Sequence, residues 1–492
     1  LSRLILTLVA TAALAAAATL ARPQARPSRA TPVADVSAAP QQPAPPRSSP
    51  QASASQAPER WSAPANLSDC PATPAARVVF PSDRPTRSTG PGAIVWADSA
   101  ACPGGEGARI AAIGAGDRPG AATALKTADG QAIVLRGPLV AAGAPHGQIA
   151  IVGAAAGAPH GPPASGLLIQ GAAGGPFSAL SPLGGTVAPR ALTTAYLGDL
   201  ALASPSAGGR RAVGLNVHVE RFFGNRFARN VSVRAAGHGP VEALTLALDF
   251  RSEALVVWVQ RGALYARLVP NRGAPRPIQR LASVTPHAHL SALLSDDRHG
   301  IVAWAEESAG VTSVYIDRSR LGVRFGPPQL LERFSDPDGL GSPAASPSLV
   351  RLSAESVLLA WAGADEGHWV VRAGPVDLEG MLTPSTIAAP GADALLAGLA
   401  PGPDDDALLL WSEPAPSEGG APDMARQALL AARATEASSG RAAFDEPETI
   451  SPPGLVVDPT VAVDPDDDAA LAVWQGEAGA IEYSVRSPGA AP

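Results

Sequence analysis

Four polar residues recur at one spacing. Asp98, Gln260, Glu306 and Glu413 each stand two places after a tryptophan, at Trp96, Trp258, Trp304 and Trp411. Acids and amides repeated in one slot of a rigid frame suit a cation, a basic peptide or sugar hydroxyls, provided the slots share a face. His287 and His289 form a second pair. Two residues apart, they face the same side of a strand, as channel-lining groups or as contacts to a metal or ligand. Asp404-Asp405-Asp406 and Asp466-Asp467-Asp468 offer the hard oxygen donors that Ca²⁺ takes. Earlier copies of that slot, Asp249 to Glu253 and Ser295-Asp296-Asp297, are turn sequences in which Asp serves the local backbone. The expectation is therefore turn chemistry and no resident cofactor or metal, with calcium as the alternative. No nucleophile motif stands out. Gly-x-Ser-x-Gly is absent, and Gly114-Ala115-Gly116 runs into Asp117, Arg118 and Pro119, where a phosphate loop needs a helix start.

The slots belong to a repeat. Six of the eight tryptophans close short apolar runs: Ala93 to Trp96, Leu255 to Trp258, Ile301 to Trp304, Leu358 to Trp361, Leu408 to Trp411 and Leu471 to Trp474. A run of this kind recurring every ~50 residues is the mark of a blade array. Around each lies the same order. A strand precedes it, as in Thr460 to Val463, a polar turn intervenes, and an alternating strand follows, as in Ile481 to Val485. The tryptophan strand is apolar on both faces, which suits burial on both sides, and Asp98, Gln260, Glu306 and Glu413 are expected to begin the loops that follow it, the longest being Ala97 to Gly107 and Ser412 to Gln427. A fourth element reads aromatic or Met, then Pro, then Leu or Ile, as in Phe325-Pro328-Leu331, Met381-Pro384-Ile387 and Phe444-Pro447-Ile450. Proline lacks an N–H, so this is an edge strand. Trp61 to Leu67 carries the same signature before any unit has begun, and the last unit runs out at Val485 without its fourth strand. Residues 60–67 are thus expected to complete the final unit. Tyr265, Tyr315, Tyr483 and Trp369 fall in third strands and read as repeat positions, not as a sugar platform.

The fold expected is an all-β propeller of eight blades over residues 59–492. Seven is the alternative if the Gly/Ala-rich stretch 103–190 holds a single blade. Residues 1–21 read as a signal peptide, with Arg3 before an apolar stretch and small residues near Ala21. Retention of that stretch as an anchor is the alternative, and no other segment is apolar enough to span. Residues 22–58, rich in Pro, Ala, Ser and Gln, read as a disordered stalk. Cys70 and Cys102 are the only cysteines and are expected to pair in an oxidising compartment. A net charge of −7 and a single lysine, Lys126, argue against a nucleic-acid footprint.

Val461-Ala462-Val463-Asp464-Pro465-Asp466 leading to Leu471 to Trp474 resembles the repeat of secreted bacterial β-propellers of the sialidase-like and TolB-like group, with Asp467-Asp468 where that repeat has glycine. The resemblance implies the fold. A sialidase-like hydrolase would need an Arg-Ile-Pro motif and Asp-boxes, and both are absent, since Arg276-Pro277-Ile278 has the wrong order. The reading is an extracellular, monomeric, non-enzymatic binding or scaffolding propeller with a protein or glycan partner and no membrane insertion after signal removal. A divergent hydrolase and a TolB-like docking protein are the alternatives.

Overall fold

In six units the second strand carries an apolar run, buried throughout, that closes on a tryptophan. In Ala93–Ala97 and Ala254–Gln260 every residue is buried. A strand covered on both faces needs a neighbour sheet on each side, and that requirement organises the molecule. The computed structural model describes most residues between Trp61 and Pro488. The expected signal peptide and stalk lie outside the described residues, as do several connecting segments. The described chain is almost wholly β, with one 3₁₀ turn at Glu477–Gly479. No helix among the described residues is long and apolar enough to cross a membrane.

Among the described residues eight antiparallel sheets of four or five strands follow one another, seven of them in chain order, beside a two-stranded ribbon of Ser82–Arg84 and Arg87–Ser88. Their first strands are Arg77–Val79, Leu135–Ala144, Ala191–Thr194, Val241–Leu248, His289–Leu294, Ser348–Arg351, Leu395–Pro401 and Val457–Val463. Each packs beside the first strand of the next sheet, and Val457–Val463 packs beside Arg77–Val79. The apolar residues form eight clusters, each shared by two adjacent sheets. One of them joins Val78, Ile94 and Trp96 of the first sheet to Leu471, Val473 and Ile481 of the eighth. The Gly/Ala-rich stretch supplies the end of the first sheet and the whole of the second. There Gly153 holds the slot of the missing tryptophan, and a Cβ at Gly153 would meet Leu139 and Leu135.

The eighth sheet takes its fourth strand from the start of the described chain. Ala65–Ser68 pairs antiparallel with Ile481–Arg486, with Ala65 opposite Tyr483. Upstream of Pro64 the contact continues. Trp61 bridges Arg486, and Ser62 N donates to Val485 O at 2.8 Å. Prolines divide other outer strands in the same way. Arg324–Phe325 and Gln329–Ser335 flank Pro327 and Pro328, and Ala442–Phe444 and Glu448–Gly454 flank Pro447. A missing N–H is tolerated at an edge.

The acidic turns between first and second strands repeat one geometry. Ser252, Arg298, Asp405 and Asp468 each take a left-handed conformation just before the second strand. The Asp249 carboxylate accepts from Arg251 N and Glu253 N, and Asp464 from Asp466 N. Local backbone capping thus accounts for much of the Asp content here. Cys70 and Cys102 are disulfide-bonded, with Cα atoms 5.4 Å apart. The bond ties segment 70–72, whose Ala72 bonds Gly479 O of the eighth sheet, to the loop after the second strand of the first.

Deleting residues 61–68 is expected to uncover the edge of Ile481–Arg486 and part of the cluster around Trp474. The deletion variant should lose at least about 3 kcal/mol in urea denaturation and self-associate in size-exclusion chromatography.

Candidate functional site

The ends of the second strands carry the residues singled out from the sequence, and the structure revises their setting. They were expected at loop starts. Gln260, Glu306 and Glu413 instead lie within strands, because Ala254–Gln260, Gly300–Ser308 and Asp406–Pro416 run past the tryptophan. The stretch from Ser412 to Gln427, expected as a long loop, is mostly a paired hairpin. Asp406–Pro416 and Pro422–Glu436 stay paired out to Pro416 opposite Pro422, with a break in register between Pro414 and Ala415. Cross-strand hydrogen bonds continue wherever both backbones remain extended, and the apolar-run signal in the sequence stops at the tryptophan.

Each of these residues holds an internal partner. Asp98, 4% exposed, is paired with Arg109 at 2.6 Å. Gln260, 1% exposed, donates from Nε2 to Gly239 O at 2.8 Å. Glu306 accepts from Thr285 N at 3.0 Å, in the connection entering its own sheet. Glu413 accepts from the Trp411 indole at 2.9 Å. The repeat slot is thus used to fasten the second strand to its surroundings. Burial pushes the Glu306 carboxyl above its ordinary value, and the Thr285 bond partly offsets this.

The two units with glycine in the slot extend the rule. At Trp361 and Trp474 the indole donates to a carboxylate from another strand, Glu332 at 2.7 Å and Glu482 at 3.0 Å. Glu332 lies on the outer strand of the fifth sheet and reaches the sixth. It also accepts from Ala364 N and pairs with Arg372. A Cβ at Gly363 or Gly476 would strike the carboxylate of Glu332 or Glu482. These glycines leave room for an acid, and the sequence carries no signal for that pairing. The tyrosines opposite Trp258 and Trp304 stack on them, Tyr265 at 5.6 Å and Tyr315 at 5.2 Å between ring centroids.

Glu306 and the histidines meet at the fifth sheet. Thr285, its donor, is two residues before His287, and His289 opens the first strand opposite Ala305. His287 is exposed, while burial and then His287 itself lower the pKa of His289. Among the described residues the two imidazoles and the Glu306 carboxylate do not form a group with ligand atoms within 4.8 Å of one another. A cleft of about 540 Å³ lies at the outer edge between Gln279–Leu281 of the fourth sheet and Arg324–Pro327 of the fifth. Gln279 Oε1 accepts from Phe325 N across it.

Several carboxyls are held above the ordinary aspartate range by burial. Asp317, 2% exposed on the third strand of the fifth sheet, is pushed up to about 7, and Asp249, Asp464 and Asp468 to about 6. Between first and second strands, ion pairs cross from sheet to sheet. Arg298 meets Glu253 at 2.9 Å, Arg351 meets Asp296 at 2.5 Å, and Arg433 meets Asp468 at 2.8 Å. Where the eighth sheet meets the first, Asp117, Asp464 and Asp467 bring donor oxygens within 4.8 Å of one another. Nothing in the residue types or spacing joins Asp117 to a turn more than three hundred residues away in the chain.

No protein-family model matches the chain, and no curated protein is similar to it. Among solved structures it is similar to a Dyadobacter fermentans protein of unknown function, at 12% identity and TM-score 0.36 over 71% of this chain and 94% of the other. It is similar to the Aleuria aurantia lectin bound to Fucα1-6GlcNAc, at 10% identity and TM-score 0.34 over 65% of this chain and 100% of the lectin. The Trypanosoma rangeli sialidase in complex with sialic acid matches at 9% identity and TM-score 0.34, over 74% of this chain and 56% of the sialidase. Likenesses this distant carry no argument about activity.

Two outcomes are expected. Gly363→Ala should displace Glu332 from Trp361, Ala364 and Arg372 together and cost about 2–4 kcal/mol in urea denaturation, while Glu332→Gln, which keeps the volume and one acceptor, should cost less. Carboxyls that bind protons more tightly folded than unfolded make the fold more stable as pH falls from 8 toward 5, with the gain complete below the unfolded value near ~4. Asp317→Asn should flatten this dependence, measured as thermal midpoint against pH, and be at least as stable as wild type at pH 8.

Proposed function

We propose that residues 59–492 form an eight-bladed β-propeller closed by the Ala65–Ser68 strand. We further propose that it acts outside the cell as a non-enzymatic binding or scaffolding protein. The eight apolar clusters, each shared by adjacent sheets and one joining the eighth to the first, support the ring. The Cys70–Cys102 bond fits an oxidising compartment.

In such a ring the ends of the second strands lie on one face, and binding is assigned to that face. The observation that carries the reading is the arm of the seventh sheet. Its central hairpin runs on for five residues beyond Trp411 and exposes Ala425 and Arg426. The acids of the repeat slot are occupied internally. The exposed groups assigned to a partner are Ala425 and Arg426 of the arm, with His287. A rigid frame that presents a few projecting segments is the form binding loops take.

The test is a glycan and peptide array probed with residues 59–492. It is repeated with the arm shortened beyond Pro414, with His287→Ala, and with Glu306→Ala and Glu413→Ala as variants that disturb internal latches. Loss of a bound signal on shortening the arm, with the thermal midpoint kept within about 3 °C, supports the reading. A signal indifferent to the arm and to His287 overturns the assignment of the face. Cleavage of an arrayed glycan would favour the sialidase-like hydrolase, and binding only to protein would favour a TolB-like docking role.

A further inference from the structure

We propose that Asp117, Asp464 and Asp467 form a calcium site that fastens the first sheet to the eighth. Asp464 and Asp467 belong to the turn between Val457–Val463 and Ala470–Gln475, and Asp117 to the turn that follows Ala108–Ala112. Their donor oxygens all lie within 4.8 Å of one another. Oxygens on one Ca²⁺ at ~2.4 Å lie no more than ~4.8 Å apart, so the three are close enough to share an ion of this size. An all-carboxylate donor set suits a hard cation and does not suit zinc or copper.

A second observation separates this cluster from the acidic turns elsewhere. Asp117 is 8% exposed, and among the described residues its carboxylate accepts no hydrogen bond and meets no cation. It faces Asp467 and Asp464. A carboxylate on a residue this closed to solvent, aimed at two others with no donor of its own, is an arrangement that a positive charge would relieve. Other junctions between these turns supply that charge from arginine: Arg298 on Glu253, Arg351 on Asp296 and Arg433 on Asp468. No described ion pair reaches the three acids here. Asp464 and Asp467 each place one oxygen on the turn backbone, at Asp466 N and Ala469 N, which holds them in position and leaves the other oxygen available. Asp467 is exposed, giving the ion an entry and room for water ligands.

The location gives the site a purpose. At their opposite ends the same two sheets are joined through segment 70–72. Gln475 Nε2 donates to Ala72 O at 2.7 Å, Ser99 N donates to Pro71 O at 2.9 Å, and the disulfide holds Cys70. Near the aspartates the direct link is Ser88 N on Asp466 Oδ1 at 2.7 Å. Calcium would fasten that end.

The full chain, stripped with EDTA and dialysed into chelator-free buffer, is titrated with CaCl₂ by calorimetry and melted with and without 2 mM CaCl₂. The expected result is one Ca²⁺ per chain and a thermal midpoint raised by roughly 2–4 °C, with a weaker response to MgCl₂. Asp117→Asn should weaken binding by at least roughly tenfold. Asp467→Asn, at an exposed turn position that leaves folding intact, should do the same. No heat and identical midpoints in EDTA and calcium would overturn the site, as would a calcium response that survives both substitutions.

Discussion

A strand that is apolar on both faces has to be covered on both faces, and each sheet here is built around one. One sheet cannot meet that need from its own residues. Its neighbour covers one side, and the neighbour's own central strand then needs a further sheet. The demand passes along the chain until something stops it. Here Leu471 and Val473 of the eighth sheet lie with Ile94 and Trp96 of the first in a single apolar cluster. Eight small cores, none belonging to one sheet, follow from that constraint. The polar edges can then vary freely, because cohesion resides in the interlayers.

The tryptophans fill the widest part of those interlayers, and their one polar atom has to be dealt with on burial. Three are served by acids reached in different ways: Glu413 from the same strand, Glu482 from the next, and Glu332 from the preceding sheet. The third solution couples neighbours. It sets the fifth and sixth sheets in fixed relation through a charge-assisted bond at 2.7 Å, and Arg372 anchors the same carboxylate. Acids that look like ligand-binding groups when aligned by their distance from tryptophan are mainly parts of the frame.

Periodic features were readable in advance. The tryptophan runs, the edge prolines at Pro328 and Pro447, and the return of the Trp61 segment to the last sheet all announce themselves by type and spacing, because each answers to a local requirement of a strand. Features that rest on contacts between distant segments were not readable. Gly363 and Glu332 form one device, but neither residue hints at the other. Asp117 sits in a turn with an ordinary loop sequence, and only the packing of the first sheet on the eighth brings it to Asp464. The hairpin beyond Trp411 was missed for another reason. Its pairing continues through Pro414, Ala415 and Pro416, residues that read as the end of a strand.

The pairing of Ser62 with Val485, 423 positions apart, has a consequence for biogenesis. The Ser62 segment is made before every sheet, yet it finds its partner only when the last sheet has been made. Until then two sheet edges stand unsatisfied at once, the condition in which nascent β-chains associate wrongly. The Cys70–Cys102 bond lies within the first hundred or so residues and can form early, parking the leading segment beside the first sheet while the chain grows. Such a tether shortens the search that the final sheet faces. A ribosomal truncation would leave its leading strand permanently unmatched, a defect that quality-control proteases recognise by exposed backbone.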